Sequence, residues 1–82
     1  MTNGPKPFLR MTNRLRELRL GGEKTQNAIA EELEMPRGSY SLLESGIALP
    51  DKTMLNSLTH VFKCKAVEIY AGIYLDIISM ES

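Results

Sequence analysis

The chain has 82 residues, ten Lys/Arg against ten Asp/Glu, and no tryptophan. That length predicts one domain, and the zero net charge excludes whole-protein attraction to polyanions as the main source of affinity. The single cysteine, Cys64, excludes an intrachain disulfide framework, and with the lone His60 it falls short of a zinc ligand set. No cofactor is expected.

Charge is uneven along the chain. Residues 1–37 hold seven cations and five acids, whereas residues 38–82 hold three and five. The opening "MTNGPKPFLR" has no apolar run, so no leader is expected. No stretch approaches the ~18 apolar residues of a membrane span. The expectation is a cytoplasmic protein without a membrane partner.

Residues 1–7 carry Gly4, Pro5 and Pro7 and predict a flexible arm. The remainder, 8–82, is expected to form the domain. Helical spacing begins near Phe8 or Thr12. It places Met11, Leu15 and Leu18 on one stripe, with Arg14, Arg16 and Arg19 around them. Gly21 and Gly22 are expected to end this helix through the left-handed geometry that glycine tolerates. Thr25 is a good N-cap for "QNAIAEEL".

Pro36 is excluded from a helix interior but suits a helix start. A short helix is therefore predicted over about 36–44, ending near Gly46. Asp51 is the next N-cap candidate, for a helix over about 51–62. After a break at residues 63–65, "AVEIYAGIYLDIISM" predicts a last helix over about 66–80. No strand alternation persists, and the fold class is all-α with five helices.

The stretch from Arg14 to Tyr70 resembles the lambda-repressor/Cro-type family of helix-turn-helix regulators, the xenobiotic-response-element class. The marks are "RLRELR" before a glycine turn, "TQNAIAEEL", "LLESG" and "LP" before the fourth helix. The spacing from Thr25-Gln26 to Glu44-x-Gly46 is the one usual in that family.

The resemblance implies that the helix over about 25–33 crosses the DNA backbone. It makes the helix over about 36–44 the recognition helix in the major groove. Gln26 matches a phosphate-contacting position, with Thr25 beside it. Arg37, Gly38, Ser39, Ser41 and Leu42 match positions that touch DNA. Arg19 and Glu44 match positions that form a structural ion pair, and Tyr40 matches a buried one.

Residue chemistry agrees in part. The Arg37 guanidinium can fork onto guanine O6 and N7. Gly38 permits close approach but reads nothing. Ser39 and Ser41 suit bases or phosphates, and Leu42 suits a thymine methyl. Arg14 and Arg16 are phosphate candidates, with a plain solvated face as the alternative.

Three positions depart from the family pattern. Glu34 stands where the turn commonly has glycine. The loop "SGIALPD" has no cation. Lys24 replaces a common hydrophobic residue. These departures imply modest affinity per monomer and give weight to dimerisation. Ile69, Ile73 and Ile77 form one apolar stripe, and Tyr70, Tyr74 and Ile78 form another.

The function expected is a sequence-specific double-stranded DNA-binding transcriptional regulator. It would be a homodimeric repressor on a pseudo-palindromic operator. The alternative is a protein-interaction module, an anti-repressor or partner-dependent corepressor, that keeps the fold with weak DNA binding. An enzyme is not expected. "LGGEKT" lacks the Gly-Lys-Ser/Thr spacing of a phosphate-binding loop.

Overall fold

The computed structural model describes residues 12–79. The expected arm over residues 1–7, the segment through Met11 and the end of the expected last helix at Met80 lie outside the described residues. Five α-helices are present among the described residues: α1 Leu15–Gly21, α2 Gln26–Leu33, α3 Arg37–Ser45, α4 Lys52–Phe62 and α5 Gly72–Ser79. A 3₁₀ turn at Ala66–Glu68 precedes α5. The only bridge of strand type among these residues joins Asn13 to Tyr70, antiparallel.

Every helix sends at least one apolar side chain to a shared core. Leu15, Ile29, Ala30, Tyr40, Leu43, Leu58, Ile69, Tyr70 and Ile78 form it. Burial of a leucine or isoleucine of this kind contributes roughly 1.5–3 kcal/mol. Helices α2 and α3 make the most extensive helix–helix contact and define the helix-turn-helix.

Local caps set the boundaries. Thr25 Oγ1 accepts the Ala28 N–H at 3.0 Å, and Asp51 Oδ1 accepts the Met54 N–H at 2.7 Å. Each satisfies a donor that a helix start otherwise leaves unpaired. Pro36 lies just outside α3 with φ −64° and ψ 147°. That is the extended conformation of an N-cap, one residue earlier than the first helical position.

The C-termini contain a correction. Neither Gly21 nor Gly22 takes a left-handed conformation, and Gly22 has φ −92°. The left-handed residue after α1 is Glu23, at φ 57°. Glu34 ends α2 at φ 59° and Lys63 ends α4 at φ 55°. Only α3 ends on a glycine with positive φ, Gly46, at φ 84°. A side chain at such angles costs about 1–2 kcal/mol. Backbone closure offsets part of this: Met35 N–H reaches Ala30 O at 3.0 Å, and Cys64 N–H reaches Thr59 O at 3.2 Å.

The expected helix over about 66–80 is broken. Arg14 N–H donates to Ile69 O at 3.0 Å, and the Asn13–Tyr70 bridge draws the chain out of helical geometry. Helicity resumes when Ala71 O accepts from Tyr74 and Leu75. The same tie accounts for the late start of α1. Asn13 is committed to the bridge, and its Oδ1 accepts the Leu15 N–H at 2.9 Å.

Candidate nucleic-acid interface

Arg37 and Gln26 occupy the first positions of α3 and α2. Their side chains meet: Arg37 Nη1 donates to Gln26 Oε1 at 3.0 Å. The Gln26 amide in turn donates from Nε2 to Glu44 Oε1 at 3.0 Å. Glu44 also accepts from Arg19 Nε and, at 3.4 Å, from Arg19 Nη2. Arg19 Nη1 completes its contacts at Lys24 O, 2.9 Å away. The exposed Arg37 is thus connected through half-buried Gln26 to an ion pair whose side chains are only 10% and 6% exposed.

The charge balance within this chain is clear. Burial raises the Glu44 pKa, but the contacts with Arg19, Gln26 and Tyr40 outweigh it and hold the carboxyl below the usual range. The bond to Glu44 raises the Arg19 pKa. Tyr40 is fully buried, and burial, followed by the neighbouring Glu44 carboxylate, pushes its phenol far up. Its hydroxyl faces the Glu44 carboxylate, with Arg19 and Tyr70 also within electrostatic reach. The hydroxyl of Tyr70 is unpaired, and burial pushes its pKa up to about 12.

The other expected contact residues divide into groups. Thr25, Gly38 and Ser39 are exposed, Ser41 is half-buried, and Leu42 is 45% exposed. A Cβ built on Gly38 would meet nothing within 4 Å, so the protein's own packing does not require glycine there. Arg16 is exposed. Arg14 is held elsewhere: its guanidinium pairs with Glu17 at 3.1 and 3.2 Å and lies near Glu68 and Cys64. None of the helix-turn-helix contact candidates is among those neighbours.

Lys24 extends to Glu32, with Nζ 2.6 Å from Oε2. The departure from a hydrophobic residue there becomes a half-exposed ion pair between the α1–α2 turn and α2.

The stripes expected to serve dimerisation need a correction. Ile69, Tyr70 and Ile78 are each 1% exposed and belong to the chain's own core. Tyr74 is half-buried. Ile73 and Ile77 remain 68% and 39% exposed. Ile69 and Tyr70 precede α5 and are bridged to the start of the domain, so the two stripes do not lie on one uncovered face.

Asn13 is the structural residue that spacing alone did not identify. Its Nδ2 donates to Leu43 O at 3.1 Å and to Glu44 O at 3.3 Å, at the end of α3. A capping signal exists, since asparagine just before an apolar-periodic run marks a helix start. The contact with α3, 30 residues away, has no such signal.

A family model described as a helix-turn-helix domain matches residues 10–69. The chain belongs to the lambda-repressor/Cro-type helix-turn-helix family. No curated protein matches it. Family membership makes this a DNA-binding helix-turn-helix domain and links it to transcriptional regulation. The matched family is a DNA-binding one, which fits a non-enzyme. No helix among the described residues is long and apolar enough to cross a membrane.

Proposed function

We propose that the protein is a sequence-specific transcriptional regulator, a homodimeric repressor that places α3 in the major groove of a pseudo-palindromic operator. The observation that carries this reading is the exposed Arg37 at the leading end of α3, backed by Gln26 at the leading end of α2. In this reading Arg37 forks onto a guanine, and Gln26 turns from Glu44 to a phosphate. Ser39 and Ser41 bond to bases or phosphates. Gly38 lets the backbone approach, and Leu42 packs on a thymine methyl. Thr25 keeps its hydroxyl hydrogen free for a phosphate while its oxygen caps α2. Arg16 is a further phosphate contact, and Arg14 joins it only by leaving Glu17.

The second copy meets the chain at the exposed Ile73 and Ile77, and twofold symmetry sets two α3 helices about one DNA turn apart. On this reading the protein acts in the cytoplasm. Selection of bound duplexes from a random library at ~50 mM salt tests the reading, because phosphate contacts are strongest at low salt. Enriched sites with two half-sites are expected; no enrichment refutes it.

A second reading rests on a specific feature. Leu42, Leu43, Leu49 and Met54 line an open groove of about 440 Å³ between α3, the following loop and α4. That loop exposes Ile47 and Leu49 and carries no cation. A surface of this kind suits a protein partner better than phosphate. Binding there would make the domain an anti-repressor or partner-dependent corepressor, and the same selection would return no duplex.

A further inference from the structure

The end of α3 and the start of α5 are joined through one residue. Asn13 Nδ2 donates to Leu43 O at 3.1 Å and to Glu44 O at 3.3 Å. Both carbonyls belong to the last turn of α3, where a helix leaves its acceptors without partners of its own. On its other side, Asn13 Oδ1 accepts the Leu15 N–H at 2.9 Å, where α1 begins. The Asn13 backbone pairs with Tyr70, and Arg14 N–H donates to Ile69 O at 3.0 Å. Ala71 follows at once, and its carbonyl starts α5 by accepting the amides of Tyr74 and Leu75.

Position 13 therefore faces two opposed demands. A backbone N–H needs an acceptor, and two carbonyls need a donor. A carboxamide meets both, whereas a carboxylate has no donor and a serine hydroxyl is too short to span them. Beyond this tie, α3 and α5 share an apolar core, with Tyr40 and Leu43 on one side and Ile78 on the other. Apolar burial is non-directional, so it tolerates a tilt that hydrogen bonds resist.

We propose that Asn13 is a positioning residue that sets the spacing between the two half-sites of the operator. The inference rests on the reading that α3 enters the major groove and that two copies meet at Ile73 and Ile77. In that arrangement the separation of the two α3 helices depends on how each is held against its own α5. Asn13 holds that angle with directional bonds, so a wrongly spaced site is engaged only by breaking them. Its effect falls on spacing and not on base preference.

Asn13→Ser keeps an acceptor for the turn at Leu15 and removes the donor to α3. Asn13→Asp does the same at full side-chain length and serves as the second variant. Asp51→Ala strips the cap of α4 and controls for lost stability alone. Each full-length protein is titrated with the selected operator, with a copy lengthened by one base pair between half-sites, and with a single half-site. Preference for the correct spacing should fall by about tenfold in the Asn13 variants, the scale of the hydrogen bonds removed. Affinity for the single half-site should be unchanged, and Asp51→Ala should keep the wild-type preference. An undiminished preference in the Asn13 variants, or the same fall in Asp51→Ala, overturns the proposal.

A second measurement needs no DNA. Spin labels at Ser39→Cys on α3 and Asp76→Cys on α5, in a Cys64→Ser background, report the distance between the two helices; both positions are exposed. Labelled chains are diluted with unlabelled protein, so that each distance lies within one chain. The distance distribution should widen in Asn13→Ser and stay as in the wild type in Asp51→Ala. An unchanged width in Asn13→Ser refutes the positioning role. If the wild type binds no duplex, the DNA reading fails, and the label distances still decide whether Asn13 fixes α3 against α5.

Discussion

Arg37 and Gln26, 11 residues apart, hold each other across the helix-turn-helix, with Nη1 donating to Oε1 at 3.0 Å. The pairing restrains a long side chain before any DNA arrives, which reduces the rotamer entropy lost on binding. Arg37→Ala should therefore lose discrimination between the operator and an unrelated duplex by about 1–3 kcal/mol. Its fold should be nearly unchanged, because Arg37 is exposed. Titration of both duplexes at one fixed salt concentration checks this; equal preference in variant and wild type would remove Arg37 from base reading.

The Arg19–Glu44 pair predicts an asymmetric stability pattern. Arg19→Ala leaves a nearly buried carboxylate without its main partner and should cost about 3 kcal/mol. Replacing both residues by apolar ones of similar size should cost much less. Urea denaturation of the single and double variants measures the difference, and additive losses would contradict the coupling.

The same carboxyl gives a pH dependence. Its pKa in the folded protein lies below the ordinary value of about 4.3. Its contribution is therefore present in full above that value and declines as pH falls through the lower folded pKa. The stability gap between wild type and Glu44→Gln should be constant near neutrality and shrink below about pH 4. A gap that widens with acid would mean the sign is wrong.

Two positions at helix ends predict gains. Glu34→Gly should stabilise the protein by up to about 1 kcal/mol, the strain relieved less the flexibility added to the unfolded chain. Gly21→Ala should also stabilise, by about 0.5–1 kcal/mol, since Gly21 is helical and a Cβ there meets nothing within 4 Å. Thermal melts of the two variants provide the test, with a lower midpoint counting against each.

Burial separates two isoleucines of the last helix. Ile73→Asp should keep the fold and yield a monomer by sedimentation, because Ile73 is 68% exposed. Ile78→Asp should unfold the protein, because Ile78 is 1% exposed. An unchanged mass for Ile73→Asp would place the contact between copies elsewhere.

The sequence by itself determined the helices and most of their boundaries. Apolar spacing, Thr25 and Asp51 as caps and Pro36 as a start signal all act within one or two turns, so they are legible without a fold. The family motif is legible for the same reason, as a fixed spacing along one continuous stretch. Glu34 was readable as a strained turn, whereas Glu23 and Lys63 were not, because nothing in their chemistry asks for a left-handed conformation.

The Arg19–Glu44 pair was legible through the family resemblance, but only the tertiary structure decided the other meetings. Gln26 finds Glu44 across 18 residues. Asn13 ties Tyr70 to the end of α3. That tie breaks the last helix, buries Ile69 and Tyr70, and leaves Ile73 outside. Periodicity states that a residue has an apolar or polar side; it does not state which distant backbone will turn that side inward.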